Sequence, residues 1–134
     1  MGRIFISAGH GGKETGGIDP GTIAGGTTEA KEMIFLRDLI LTELRARGFE
    51  VLSVPDSLSA TASIQWINSR ARRNDVAVEI HADAAASPSV RGASVYYIAN
   101  NQERKSNAET LLMGLLNRGP QLNSRVVKAD TSSG

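Results

Sequence analysis

Apolar residues along this chain recur in two rhythms, short unbroken runs and spacings of three to four, and the two alternate. Residues 4–6 are an apolar run soon followed by glycine, which predicts a buried strand. From residue 9 to 28 the chain carries Gly9, Gly11, Gly12, Gly16, Gly17, Gly21, Gly25 and Gly26, which predicts a loop. Connections in compact domains have a median of about 4–6 residues, and much longer ones are usually functional or disordered. Met33, Ile34, Leu36, Ile40 and Leu44 then repeat near the helical period, which predicts a helix over 29–47 with Gly48 as its stop. Residues 49–54 read as a second strand ended by Pro55-Asp56-Ser57, and 63–73 as a helix with Ile64 and Ile67 on one side. A third strand is predicted over 76–82, a fourth over 93–99 behind Gly92, and a third helix over 107–117 with four leucines. After Arg118 only Val126-Val127 suggests the start of a strand. Strands alternating with helices imply an α/β fold with a mixed, mainly parallel sheet flanked by helices in three layers. Neither a repeat nor a linker interrupts it, so residues 1–134 read as one domain.

Composition narrows the chemistry. The hydrophobic fraction of 40% suffices for a core, but with 4% aromatics the filling falls to Leu, Ile, Val and Ala. Fifteen Lys and Arg against 14 Asp and Glu leave a net charge of +1, which gives no electrostatic case for nucleic acid. The one basic cluster, Arg70-Ala71-Arg72-Arg73, sits where a helix is predicted to end, and there the helix dipole favours cations. The absence of cysteine excludes disulfides, zinc–thiolate sites and thiol nucleophiles. No apolar run approaches the roughly 18 residues of a membrane span, and the first residues do not resemble a secretory signal.

The chain has two histidines, and both fall at strand ends. His10 follows the first strand within Ser7-Ala8-Gly9-His10-Gly11-Gly12, and His81 lies in Val78-Glu79-Ile80-His81-Ala82-Asp83. Ligand sites of open α/β sheets form beyond the carboxyl ends of the strands, so two parallel strands bring both imidazoles to one edge. Glu29 opens the first helix and points back toward the same edge. Two imidazoles and a carboxylate suit a catalytic zinc site with a fourth position for water. Each residue also has an ordinary role: a hydrogen-bonded histidine at a strand end, or a first-turn carboxylate facing the helix dipole. Glu32, one turn on, is an alternative ligand.

The segment Ile4 to Gly12, followed by Asp19-Pro20-Gly21, resembles the opening motif of the zinc-dependent N-acetylmuramoyl-L-alanine amidases of the third amidase type. In that family a strand ends in Pro-Gly-His-Gly-Gly, whose histidine binds zinc; here Ala8 stands for the proline. The second family ligand is a glutamate opening the next helix, which ends in an Arg-Gly-aromatic turn. Glu29 through Arg47-Gly48-Phe49 matches that layout without a gap, which favours Glu29 over Glu32. Glu79-Ile80-His81-Ala82-Asp83 is similar to the family's Ser-Ile-His-Ala-Asn motif, with Glu79 and Asp83 as departures, and 105–111 resembles the helix after the fourth strand.

The resemblance implies Zn2+ held by His10, Glu29 and His81. It also implies a peptidoglycan or muropeptide substrate, cleavage between N-acetylmuramic acid and L-alanine, and action in the periplasm, the cell wall or the secreted space. Glu79 shares the side of His81 on an alternating strand and can line the site, although serine without catalytic duty is common there in the family. The family's general base is a glutamate on a closing strand with a Leu-Val-Glu pattern; none matches here, and neither Glu103 nor Glu109 is a substitute. The catalytic base is therefore expected beyond Gly134, and the domain is expected to lack its closing segment. Two other functions fit this pattern: a weak or inactive zinc-binding, wall-binding or regulatory domain, and a zinc peptidase or deacylase on the same scaffold.

Overall fold

The computed structural model describes residues 2–14, 17–119 and 121–131. Gly16 of the predicted loop and the last three residues of the tail lie outside them. The chain divides into two compact units, Met1–Ala84 and Ala85–Gly134.

In the first unit, strand β1 (Ile4–Ala8) leads into two small antiparallel hairpins. These are β2 (Lys13–Glu14) with β3 (Gly17–Ile18), and β4 (Ile23–Ala24) with β5 (Thr27–Thr28). Helix α1 (Glu29–Ala46), strand β6 (Val51–Ser53), helix α2 (Ala60–Asn68) and strand β7 (Val76–Ile80) follow. The sheet order is β6-β1-β7, with β1 parallel to both neighbours.

Alternation along β1 divides its side chains between two faces. Ile4 and Ile6 pack with Val51, Val78 and the α1 residues Ile40, Leu41 and Leu44, which form the core on that side. Phe5 points the other way, is 1% exposed, and meets Trp66 of α2 edge-on with ring centroids 6.0 Å apart. Helices thus cover both faces of this parallel sheet, which such sheets require. At the far end of β1, Arg3 binds Asp75 through its backbone N–H at 2.8 Å and its guanidinium at 2.7 Å, which ties β1 to the start of β7.

Helix α1 is capped by Thr28, whose hydroxyl accepts the Lys31 N–H. Arg37, buried on this helix, reaches the loop after β6. It donates to both oxygens of Asp56 at 2.7 and 3.0 Å and to the Val54 carbonyl at 3.3 Å.

The second unit is a β-α-β arrangement. Strands β8 (Ala93–Ile98) and β9 (Ser124–Asp130) pair in parallel, with a register shift near Val95. Helix α3 (Gln102–Arg118) packs against both, burying Ala108 and Leu112.

Boundaries shift from the sequence expectation for local reasons. The predicted glycine loop holds the two hairpins, whose strands are only two residues long. Helix α2 begins earlier than expected because Ser59 caps it, accepting the Ala62 N–H, and it ends at Asn68 rather than 73. Arg70 lies just past that end, where its guanidinium donates to the Trp66 carbonyl and stacks 4.2 Å over the Trp66 ring. Asn101 caps α3, accepting the Arg104 N–H, so this helix starts five residues before the predicted position. The tail holds a seven-residue strand where only a beginning at Val126-Val127 is predicted. No helix among the described residues is long and apolar enough to cross a membrane.

Candidate metal centre

The loop leaving β1 turns sharply. Gly9 N–H continues the sheet to the Ile80 carbonyl at 2.8 Å, and then the chain doubles back so that Gly11 N–H meets the Asp19 carbonyl at 2.7 Å. His10 sits at the reversal with φ of 67°. A left-handed backbone at a non-glycine residue costs of order 1–3 kcal/mol and is held by its surroundings, a pattern concentrated at functional sites. Here the turn carries the imidazole back toward α1 and β7.

Glu29 is the first residue of α1, and its side chain is 2% exposed. The carboxylate meets four partners. One oxygen, Oε1, accepts the Ala82 N–H at 3.0 Å and lies 3.0 Å from His81 Nδ1. The other, Oε2, accepts the Thr22 N–H at 3.1 Å and lies 3.4 Å from His10 Nε2. Burial alone pushes the Glu29 pKa up, but the Thr22 and Ala82 N–H groups, His81 and His10 together outweigh it and hold the carboxyl below its ordinary value. The group is a fixed, buried anion between two imidazoles.

His81 follows directly on β7. Its Nε2 lies 2.7 Å from Glu79 Oε1, and this contact, against the opposing effect of burial and with help from Glu29, raises its pKa to about 9. Glu79 in turn is held below the usual carboxylate range, first by His81 and also by the Ser7 hydroxyl, which donates to Oε2 at 3.0 Å. On the other imidazole, His10 Nδ1 lies 2.6 Å from Asp19 Oδ2. That contact and the Gly21 N–H on Oδ1 hold Asp19 below its ordinary pKa. The two rings stand edge-on, with centroids 5.2 Å apart.

Two glycines make this approach possible. A Cβ on Gly9 would run into the Cγ, Nδ1 and Cε1 atoms of His81. On Gly21, where φ is 65°, a Cβ would fall 2.6 Å from His10 Cδ2 and 2.9 Å from Glu29 Oε2.

The structure brings His10, Glu29 and His81 together: one ligand atom from each lies within 4.8 Å of the other two. Zinc takes nitrogen and oxygen ligands at about 2.0–2.2 Å in a tetrahedron, which places two ligands about 3.4 Å apart. The separation of His10 Nε2 from Glu29 Oε2, 3.4 Å, matches that spacing for this pair, and His81 Nδ1 lies 3.0 Å from the other carboxylate oxygen. The alternative carboxylate, Glu32, is exposed on α1 and accepts from the Thr27 hydroxyl at 2.8 Å, outside the cluster. Glu79 lines the same cleft, and Asp83 is exposed. Glu103 and Glu109 belong to α3 of the second unit. The glycines around His10 are expected from the sequence to allow such close approach, whereas nothing in the sequence points to the contact of Asp19 with His10 or to the packing of Gly21 on the ring.

Beside the cluster lies a cleft of about 100 Å³, walled by Gly12, Asp19, Leu58, Ala60 and Ser63. A water molecule's share of liquid volume is about 30 Å³, so the cleft admits a few waters or a small part of a larger substrate.

Comparison with known proteins bears on what such a site does. The sequence profile of the N-acetylmuramoyl-L-alanine amidase family matches residues 4–133. The chain is 34% identical over 109 residues to the N-acetylmuramoyl-L-alanine amidase AmiC of Neisseria meningitidis serogroup B, an alignment covering 81% of this chain. It spans only about a quarter, 25%, of that relative's length. Among solved structures, the CwlD amidase of Clostridioides difficile, determined in complex with the GerS lipoprotein, superposes with a TM-score of 0.80 at 21% identity. That match covers 97% of this chain and 73% of CwlD. The amidase AmiC2 of Nostoc punctiforme gives a TM-score of 0.77 at 20% identity, over 97% of this chain and 70% of its own. At these identities the structural matches speak for the fold, which agrees with the mainly parallel α/β architecture expected from the sequence.

Proposed function

The chain belongs to the N-acetylmuramoyl-L-alanine amidase family, and from that membership we propose that it hydrolyses the amide between N-acetylmuramic acid and L-alanine in peptidoglycan or muropeptides, using one Zn2+ held by His10, Glu29 and His81. The observation that carries this reading is the convergence of those three side chains, the one such group among the described residues. Their chemistry is that of a catalytic zinc site, with three protein donors and a fourth position for water or substrate. Zinc in such a site polarises a carbonyl oxygen and lowers the pKa of a water from about 15.7 toward 7.

The chain's own residues supply the rest. Glu29 contributes the single negative charge among the ligands, and the Thr22 and Ala82 N–H groups keep its carboxylate oriented. Asp19 accepts the Nδ1 proton of His10, which leaves Nε2 as the donor to the metal. The cleft beside the ligands receives the scissile amide. Hydrolysis also needs a base for the water proton. Both oxygens of Glu79 are engaged, by His81 and Ser7, and Asp19 is tied to His10 and Gly21. We therefore propose as the base the glutamate that the family resemblance implies on a closing strand. A positioned base typically contributes about 10²–10⁴-fold, so a form carrying that segment is expected to be faster by that order. Because peptidoglycan lies outside the cytoplasmic membrane, the site of action is the periplasm, the wall or the secreted space.

The test begins with elemental analysis, which should return one zinc per folded chain, lost in His10→Ala and His81→Ala. Purified cell walls incubated with the zinc-loaded protein should then release stem peptides bearing a free L-alanine amino terminus. A chelator should stop that release and added zinc restore it. Wall binding without release would favour a non-catalytic domain, and equal cleavage of simple peptides would favour a peptidase or deacylase.

A further inference from the structure

Glu79 is a departure from the family motif that neither the ligand set nor the assigned base uses. It sits two residues before His81, and a strand advances about 3.3 Å per residue, so the two side chains share a face roughly 6.6 Å apart at the backbone. A serine at that position would be too short to reach across to the ring. The glutamate does reach, placing Oε1 2.7 Å from His81 Nε2. Its other oxygen is anchored from the neighbouring strand: Ser7 stands in register with Glu79 and is buried, and its hydroxyl donates to Oε2 at 3.0 Å. Gly9 leaves just enough room for the imidazole, since a Cβ there would collide with the ring. The ring is therefore held from its far edge by Glu79 and along its flank by the β1 loop.

We propose that Glu79 is a positioning residue for His81: it accepts the Nε2 proton, fixes the tautomer, and thereby presents Nδ1 to the metal. This rests on the zinc reading of His10, Glu29 and His81. Three observations favour it over Glu79 as a fourth ligand. Nδ1 is the nitrogen that faces Glu29, at 3.0 Å, while Nε2 faces away toward Glu79. The mutually close ligand atoms among the described residues are those of His10, Glu29 and His81, and Glu79 is not one of them. Asp19 makes the same kind of contact on His10, but at Nδ1, leaving Nε2 toward Glu29. The two imidazoles thus offer opposite nitrogens, each with a carboxylate behind it. A carboxylate on the outer nitrogen of a ligand histidine fixes the ring and raises its basicity, and losing such a partner typically costs about 10–100-fold in metal affinity.

The experiment uses the 134-residue chain loaded with zinc. Affinity is measured by chelator competition, and the His81 tautomer is read from long-range 15N–1H correlations. The wild type should show His81 bound through Nδ1 with a proton on Nε2. Glu79→Ala should bind zinc about 10–100-fold more weakly, and its His81 Nε2 proton, left without an acceptor, should exchange faster with solvent. Glu79→Gln keeps an acceptor oxygen, so it should retain the tautomer and lose severalfold in affinity, less than the alanine variant. If Glu79→Ala does not fold, as judged by its melting without metal, the glutamine variant decides, and unchanged affinity there overturns the proposal. Zinc affinity in Glu79→Ala within twofold of wild type, with the same His81 signals, overturns it as well. So does X-ray absorption showing an oxygen ligand that disappears in Glu79→Gln. In each of these cases a loss of zinc in His10→Ala leaves the metal reading intact, whereas a wild type that binds no zinc removes that reading itself.

Discussion

Replacing Gly21 by alanine separates backbone strain from damage to the metal centre. Gly21 has φ of 65°, and an added Cβ would stand 2.6 Å from His10 Cδ2, 2.7 Å from His10 Cγ and 2.9 Å from Glu29 Oε2. Non-bonded contacts of a Cβ essentially never fall below 3.0 Å, so the His10 ring must retreat by roughly 0.4 Å. A credible zinc ligand lies within about 0.2 Å of its ideal distance, so that retreat exceeds the tolerance of the Nε2 donor next to Cδ2. The left-handed backbone adds a penalty of about 1–2 kcal/mol for a non-glycine residue. Gly25 supplies the control: its φ is 58°, but a Cβ there meets nothing within 4 Å. Gly25→Ala should therefore lose about 1–2 kcal/mol in urea melts and keep its zinc affinity. Gly21→Ala should lose at least as much stability and about tenfold or more in zinc affinity, the cost of disturbing a ligand's orientation. Chelator competition and urea titration of both variants, with and without zinc, provide the readings. Equal zinc affinity in the two variants would refute the claim that Gly21 is required by its contact with the ligands.

Other outcomes follow from the same geometry. Glu29→Gln should weaken zinc binding at least tenfold or so, as loss of a charged ligand should, while Glu32→Gln, exposed and bonded to Thr27, should stay within about twofold; equal losses in chelator competition would count against the assignment. Phe5→Ala removes a fully buried ring that packs against Trp66 and should cost about 3–5 kcal/mol in urea unfolding; a cost under about 1 kcal/mol would mean that α2 does not rest on this contact. The Arg3 guanidinium, with the Arg72 and Arg3 N–H groups, holds the Asp75 carboxyl far below the usual carboxylate range. A depressed folded pKa stabilises fully above the ordinary value of about 3.9 and loses that contribution as pH falls below it. Wild-type urea midpoints should accordingly drop more steeply than those of Asp75→Asn between about pH 4 and 2, and parallel slopes would contradict the pairing.

Much of the first unit was legible because its signals are local. The β-branched run before Gly9, the helical spacing of α1 and the Gly48 stop each depend on residues a few positions apart. The strand-end placement of both histidines follows from that, and with it their meeting at one sheet edge. The start of α2 was not legible, because Ala60, Thr61 and Ala62 carry no apolar period and the decisive signal is the Ser59 cap. Helix α3 begins with a polar turn that a search for leucines overlooks. The hairpins escape because two-residue strands with exposed Ile18 and Ile23 look like loop. Strand β9 mixes Arg125 and Lys128 with Val126 and Val127, which obscures alternation. The partners of the ligands depend on tertiary approach. Asp19 reaches His10 only because the loop doubles back, and Ser7 reaches Glu79 only because β1 and β7 are neighbours.

Helix α1 has a consequence for how the site can change. It begins with Glu29, and two turns later, about 12 Å along its axis, Arg37 clasps Asp56 and the Val54 carbonyl. The chain released from that clasp runs through Leu58 into the first turn of α2, where it walls the cleft. One rigid rod thus sets the register of both the ligand shelf and the neighbouring wall. The same segment also touches the loop that carries His10: the Ser57 carbonyl accepts the Lys13 N–H at 3.2 Å, and a Cβ on Gly12 would run into the Leu58 carbonyl. The wall of the cleft and the His10 loop are therefore joined by backbone contacts as well as through α1. A change at 57–59 that moves those backbone atoms is thus felt at His10, whatever Arg37 holds in place at Asp56.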